Sequence, residues 1–225
     1  MKILVNDVNL YYEKIGRGHP LIMLHGNSQS LNIFHKMAAK LKDNFELYLV
    51  DSRNHGKSDE SKEFSYYLMA EDLKEFIQRL NIKDPYVIGF SDGAICALLS
   101  EIKHPGTFSR MCLMGLNLSP DDLTDDAYEE TKELYEFLQV DIIRIMLDSP
   151  HITEKELSEV NANILFIYGE NDVFKEELYE KIKIAKNYKL LKVKDHDHSS
   201  YLKDNSEIIE DIKEFFGGKD ADSTK

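Results

Sequence analysis

Tyr86-Val87-Ile88-Gly89-Phe90-Ser91-Asp92-Gly93-Ala94-Ile95 contains the sharpest change of period in this 225-residue chain. Residues 86–90 form a short apolar run of the buried-strand type, and residues 93–102 carry helical spacing. Gly89 and Gly93 flank Ser91 two positions either side, so strand and helix can meet at a sharp turn without Cβ clashes. G-x-S-x-G in a strand–turn–helix setting exposes the serine hydroxyl beside a helix amino end, as a nucleophilic serine requires.

The alternation continues in both directions. Residues 3–8 and 9–15 read as two strands joined around Asn6-Asp7, an N-terminal hairpin. Further strands are predicted at 20–24, 45–50, 111–116, 164–168 and 190–193, with helices at 31–41, 65–80, 176–185 and 206–216. Val/Ile/Leu-rich strands alternating with amphipathic helices predict an α/β fold, a mostly parallel central sheet with helices on both faces. Residues 1–216 are read as one domain and the small, polar residues 217–225 as a disordered tail. The alternation breaks once. Residues 120–160 are helical in pattern, and Leu134, Phe137, Leu138, Ile142, Ile145 and Met146 are predicted to share one apolar face. Such an insert forms either a short cap over the carboxyl ends of the strands, where open sheets bind ligands, or a crossover helix pair that only covers the sheet.

Composition excludes several function classes. The 41 Asp plus Glu against 28 Lys plus Arg leave a net charge of −13, which repels a phosphate backbone, so no nucleic-acid partner is expected. Hydrophobic residues at 42% and charged residues at 31% fit a globular chain. No run approaches the roughly 18 apolar residues of a membrane span. The apolar residues Ile3, Leu4 and Val5 are too few for a signal-peptide core, so a cytoplasmic protein without a membrane partner is expected. Cys96 and Cys112 lie in apolar runs without metal-type spacing, and no Gly-rich phosphate loop appears. Neither cofactor nor metal is expected, and the expected partner is a small-molecule substrate.

Four further segments stand in a telling order. His25-Gly26-Asn27-Ser28 follows the third strand. Asp51-Ser52-Arg53-Asn54-His55-Gly56-Lys57-Ser58 follows the fourth. Gly169-Glu170-Asn171-Asp172 follows the strand at 164–168, and Asp197-His198-Ser199-Ser200-Tyr201 precedes the last helix. With the elbow, these resemble the α/β-hydrolase superfamily over nearly the whole chain, in its serine esterase-like branch with a short helical cap. The second segment matches D-x-R-G-H-G-x-S with Asn54 where glycine is usual, and Asp197 stands where glycine is common before the histidine.

The resemblance implies the triad Ser91, Asp172 and His198, with Ser91 as nucleophile, His198 as base and Asp172 orienting the imidazole. It also implies an oxyanion hole formed by the backbone N–H groups of Asn27 and Asp92. His196 is the rival base, and Ser199 following His198 favours the latter; Glu170 shares the turn of Asp172 but lies nearer the strand end. His25 and His55 are read as turn-fixing hydrogen-bond partners. Asp92 has two readings. Gly-x-Ser-Asp-Gly is similar to the elbow of some hydrolases of amino-acid esters, where a carboxylate could hold a substrate ammonium; alternatively its side chain caps the helix. Haloalkane dehalogenases and epoxide hydrolases place a carboxylate where Ser91 stands, and the chain contains no Trp to bind halide, so both branches are disfavoured.

The implied activity is hydrolysis of a small carboxylic ester, or of a thioester or amide, through an acyl-enzyme. The same triad also serves hydrolysis of a carbon–carbon bond, and some receptors of this fold bind ligand with little turnover. Residues 120–160 contain 13 acidic residues against 3 basic ones, so most of the chain's negative charge belongs to the insert. That charge is read either as a solvated helical face or as a filter favouring neutral or cationic substrates over anionic ones.

Overall fold

In the computed structural model, which describes residues 1–203 and 206–217, β1 (Lys2–Val5) and β2 (Val8–Gly16) form the N-terminal hairpin. Its two-residue turn has Asn6 at φ 47°, a left-handed conformation that asparagine tolerates. The chain continues through β3 (His19–Leu24), a 3₁₀ turn (Leu31–Phe34), α1 (His35–Leu41), β4 (Phe45–Val50), α2 (Tyr66–Arg79) and β5 (Tyr86–Phe90). Then follow α3 (Asp92–Lys103), β6 (Arg110–Met114), and an insert of α4 (Asp125–Leu138), α5 (Asp141–Asp148) and α6 (Glu154–Glu159). The last elements are β7 (Asn163–Gly169), α7 (Glu176–Lys181), β8 (Tyr188–Val193), α8 (Ser200–Lys203) and α9 (Ile209–Gly217). Gly217, expected in the tail, closes α9; residues 218–225 of that expected tail lie outside the described residues.

The described strands join in one eight-stranded sheet ordered β1-β2-β4-β3-β5-β6-β7-β8. Only the hairpin edge is antiparallel; every pairing from β3 with β4 to β7 with β8 is parallel. The unbroken apolar runs of the inner strands follow from burial on both faces. Ile22 and Leu24 of β3 enter the core shared with α2 and α3, whereas Leu21 and Met23 enter the core shared with α1 and α9.

One buried ion pair locks the loop after β4. The Arg53 side chain is wholly buried and donates from Nε and Nη2 to the two carboxylate oxygens of Asp72 on α2, at 2.5 and 2.7 Å. A third bond, to the Glu63 carbonyl at 2.9 Å, leaves the guanidinium well satisfied for a buried charge.

The apolar face predicted for the insert is not a single face. Gln139 ends α4 in the left-handed conformation (φ 52°), so the helical series breaks before Ile142. Ile145 is buried and Met146 packs against the core, but Leu134, Phe137 and Leu138 are exposed, Phe137 to 84%. The spacing continued across a turn that redirects the axis. Among the described residues, no helix is long and apolar enough to cross a membrane.

Candidate active site

Ser91 sits at φ 51°, ψ −118°, between the end of β5 and the first turn of α3. A serine rarely adopts that conformation, and surrounding contacts hold it there. The Ser91 N–H donates to the Met114 carbonyl of β6 at 2.8 Å, and the Ser91 carbonyl accepts from Ala94 and Ile95 of α3. Gly93 allows the crossing: a Cβ there would lie 2.1 Å from the Leu24 carbonyl oxygen of β3. Asp92 opens α3, so its backbone N–H is one of the donors a helix leaves without an intrahelical acceptor.

Asp172 lies on the turn after β7 with its side chain fully buried. One oxygen accepts the Val173 N–H at 2.8 Å and the other the Gly169 N–H at 3.1 Å. The same Oδ1 lies 2.7 Å from His198 Nδ1, and this acceptor fixes the imidazole tautomer with its proton on Nδ1. His198 Nε2 is then the acceptor, 3.2 Å from Ser91 Oγ. The ring is held between Phe90 and Phe174, with centroids at 5.0 and 5.4 Å. His196 is turned elsewhere, with Nδ1 at 2.9 Å from Ser200 Oγ and Nε2 at 3.6 Å from Glu207. Asp197, the departure from glycine, accepts the N–H groups of Ser199 and Ser200 and so opens the short helix α8.

The loop bearing Asn27 packs against the elbow: a Cβ on Gly26 would stand 3.1 Å from Ser91 Cβ. Two histidines cross-brace this loop to the segment after β4. His25 donates from Nδ1 to the Gly26 carbonyl and accepts the Ser52 N–H at Nε2, at 2.8 and 3.1 Å. His55 donates from Nδ1 to the Arg53 carbonyl and accepts the Ser28 N–H at Nε2, at 2.9 and 3.1 Å. Each therefore serves as a neutral imidazole, and burial lowers the pKa of His25 to about 4. Asp51 adds a third tie, accepting N–H groups from Leu31 and Lys57. Asn54 replaces the usual glycine at φ 62°, and its side-chain amide donates to and accepts from Ser61.

The profile of the alpha/beta hydrolase fold family matches residues 19–143, over half of the sequence. The chain belongs to the α/β-hydrolase family. Among curated relatives, the sn-1-specific diacylglycerol lipase ABHD11 of Danio rerio is 29% identical over 159 residues, 68% of this chain and 48% of that protein. An ethanol acetyltransferase of Hanseniaspora uvarum is 32% identical over 91 residues, 40% of this chain and 27% of that protein. This α/β hydrolase thus spans between about a quarter and a half of those relatives' length. Among solved structures, the esterase EaEST from Exiguobacterium antarcticum superposes with a TM-score of 0.84 at 22% identity, covering 96% of this chain and 98% of the esterase.

A cavity of about 200 Å³ opens beside Ser91 and His198. Leu123, Met146, Val173 and Phe174 give it apolar walls, while Tyr66, Asp92, Asn117, Glu130 and Thr131 supply polar ones. α4 and α5 of the insert therefore face the reactive groups, whereas Leu157 of α6 is buried in the core with α3. The capping expected as one reading of the Asp92 carboxylate is not what the fold shows. Its two oxygens instead accept the hydroxyl of Tyr66 and the side-chain amide of Asn27, at 2.8 and 2.9 Å. Among the described residues, no group of three or more His, Cys, Asp or Glu could hold a metal ion.

Sequence reading missed Tyr66, Phe174 and Gly115. Gly115 follows β6 at φ 60°, and a Cβ there would lie 2.6 Å from His198 Cε1. Its sequence signal was only a glycine at the carboxyl end of a strand, which becomes meaningful once the imidazole is placed.

In Gly115→Ala the added methyl collides with the His198 ring and displaces it, so kcat should fall by about 100-fold or more, read as ester turnover, with the fold retained by circular dichroism. Unfolded His25 binds a proton near its ordinary pKa of 6.5 whereas the folded residue resists until about pH 4. Stability from this group is therefore complete above pH 6.5 and declines as pH falls through that window, by up to about 3 kcal/mol. Urea midpoints measured from pH 7 to pH 4 should fall less steeply in His25→Gln; parallel profiles would contradict the assignment.

Proposed function

We propose that this α/β hydrolase cleaves small carboxylic esters by acyl-enzyme catalysis. The observation that carries the reading is the continuous chain Asp172–His198–Ser91, at 2.7 and 3.2 Å, on a strained strand-to-helix turn. In this reading Ser91 Oγ attacks the ester carbonyl carbon while His198 Nε2 takes the hydroxyl proton, and Asp172 stabilises the resulting imidazolium. The developing oxyanion receives the N–H groups of Asn27 and Asp92, each worth about 3–4 kcal/mol when well aimed. His198 then protonates the departing alkoxide, and water repeats the sequence in reverse to release the acid. The names of the lipase relative and of the esterase neighbour fit an ester bond as target.

The cavity adds a preference among substrates. None of its lining residues is Lys or Arg, and the exposed Glu130 stands on α4 within the acidic insert. Its volume accommodates a short acyl chain, and its charge favours neutral or cationic esters. A cytoplasmic setting belongs to the same proposal, with Cys96 and Cys112 both buried as free thiols.

A fluorophosphonate probe should modify Ser91, located by mass spectrometry after digestion, and Ser91→Ala should abolish the adduct. His198→Ala should lower ester turnover by at least about 1,000-fold, whereas His196→Ala should retain most of it; the reverse order would overturn the assignment. An adduct without turnover of any ester would shift the reading to carbon–carbon hydrolysis or ligand binding. In a separate series, esters of matched size but opposite charge should differ several-fold in kcat/KM at low salt, the cationic one faster, and converge at high salt. Equal rates at both ionic strengths would reduce the acidic insert to a solvated face.

A further inference from the structure

The two N–H groups assigned to the oxyanion site come from different loops. Asn27 follows β3 and Asp92 follows the nucleophile, 65 positions apart in the chain. For both to meet one oxygen, the loops must keep a fixed separation, because errors of about 0.5 Å already exceed what a preorganised site tolerates.

A side-chain bond spans that gap. The Asp92 carboxylate, on a residue only 2% exposed, accepts from Asn27 Nδ2 at 2.9 Å. Its other oxygen accepts the Tyr66 hydroxyl of α2 at 2.8 Å. Asn27 is held on its far side as well: Nδ2 donates to the Ile142 carbonyl of α5 at 2.7 Å, and Oδ1 accepts the Ser28 hydroxyl at 2.7 Å. Every polar atom of these side chains is engaged.

We propose that the Asp92 carboxylate is a positioning group for the oxyanion site, tying the donor on the β3 loop to the donor on the elbow. Tyr66 holds the carboxylate and α5 holds Asn27, so the spacing of the two N–H groups is set by side chains. Burial of a carboxylate is unfavourable and raises its pKa, an expense offset here by two good donors. A residue serving only through its backbone N–H would need neither the charge nor the burial. The inference rests on the serine-hydrolase reading.

A double-mutant cycle on a chromogenic ester tests it. Asp92→Asn removes the charge and leaves one acceptor oxygen for the two donors Asn27 and Tyr66, and should lower kcat about 10- to 100-fold with KM within about twofold. A phenylboronic acid, whose tetrahedral adduct on Ser91 places an oxygen at the oxyanion position, should lose affinity by a similar factor. Asn27→Ala should behave alike. In that background Asp92→Asn should cost no more than about a further twofold, since the carboxylate has lost its target. Tyr66→Phe, which removes one hydroxyl, should lower kcat about three- to tenfold and decides the matter if Asp92→Asn does not fold. Multiplicative losses in the cycle, a change confined to KM, or full activity in Tyr66→Phe would overturn the proposal. Fluorophosphonate labelling of the wild-type Ser91 separates the two failures. Without it the serine-hydrolase reading falls; with it, an additive cycle refutes the positioning role alone.

Discussion

Ser91 at φ 51° depends on how closely α3 approaches the sheet. A Cβ on Gly93 would strike the Leu24 carbonyl, and one on Gly89 would lie 2.5 Å from the Gly93 carbonyl oxygen. Glycine at both positions lets the helix cross directly over the strand ends. The chain must then reverse within one residue, and that residue is the serine. Bonds from Ser91 to β6 and α3 compensate the strained backbone, so the site inherits the rigidity of the sheet.

Around this turn, buried carboxylates set the geometry of loops that have no regular structure of their own. Asp51 ties the 3₁₀ turn at Leu31 to the segment ending at Lys57, and Asp72 anchors Arg53. Asp172 fixes the imidazole, and Asp92 joins the elbow to the β3 loop. Each carboxylate accepts two or more donors, which is what makes its burial tolerable. The two neutral histidines, His25 and His55, do similar work with ring nitrogens in place of carboxylate oxygens. The D-x-R-x-H-G-x-S segment thus bears on the site indirectly, by bracing the loop that carries Asn27.

The elements legible in the sequence were those governed by local period. Strands β4 and β5 begin and end where their apolar runs do, and the hairpin turns at Asn6-Asp7 as its residues require. Motif order brought Ser91, Asp172 and His198 forward as candidates, and the fold places their side chains in one hydrogen-bonded chain. Periodicity misled where it ran across a break. Leu134, Phe137 and Leu138 match the spacing of Ile145 but lie beyond a left-handed Gln139, and they face solvent. Spacing along a helix carries no information about a change of axis.

Sequence by itself determined the parallel α/β architecture, the elbow, and the residue types available for chemistry. These are set by short-range preferences and by burial on two faces of a sheet, both written in neighbouring residues. Only the tertiary structure decided that His198 and not His196 meets Ser91, that Gly115 clears space for the imidazole, and that Tyr66 and Asn27 share the carboxylate of Asp92. Those contacts join segments from 26 to 107 positions apart. Their geometry depends on how strands are ordered in the sheet, a long-range property that no local pattern specifies.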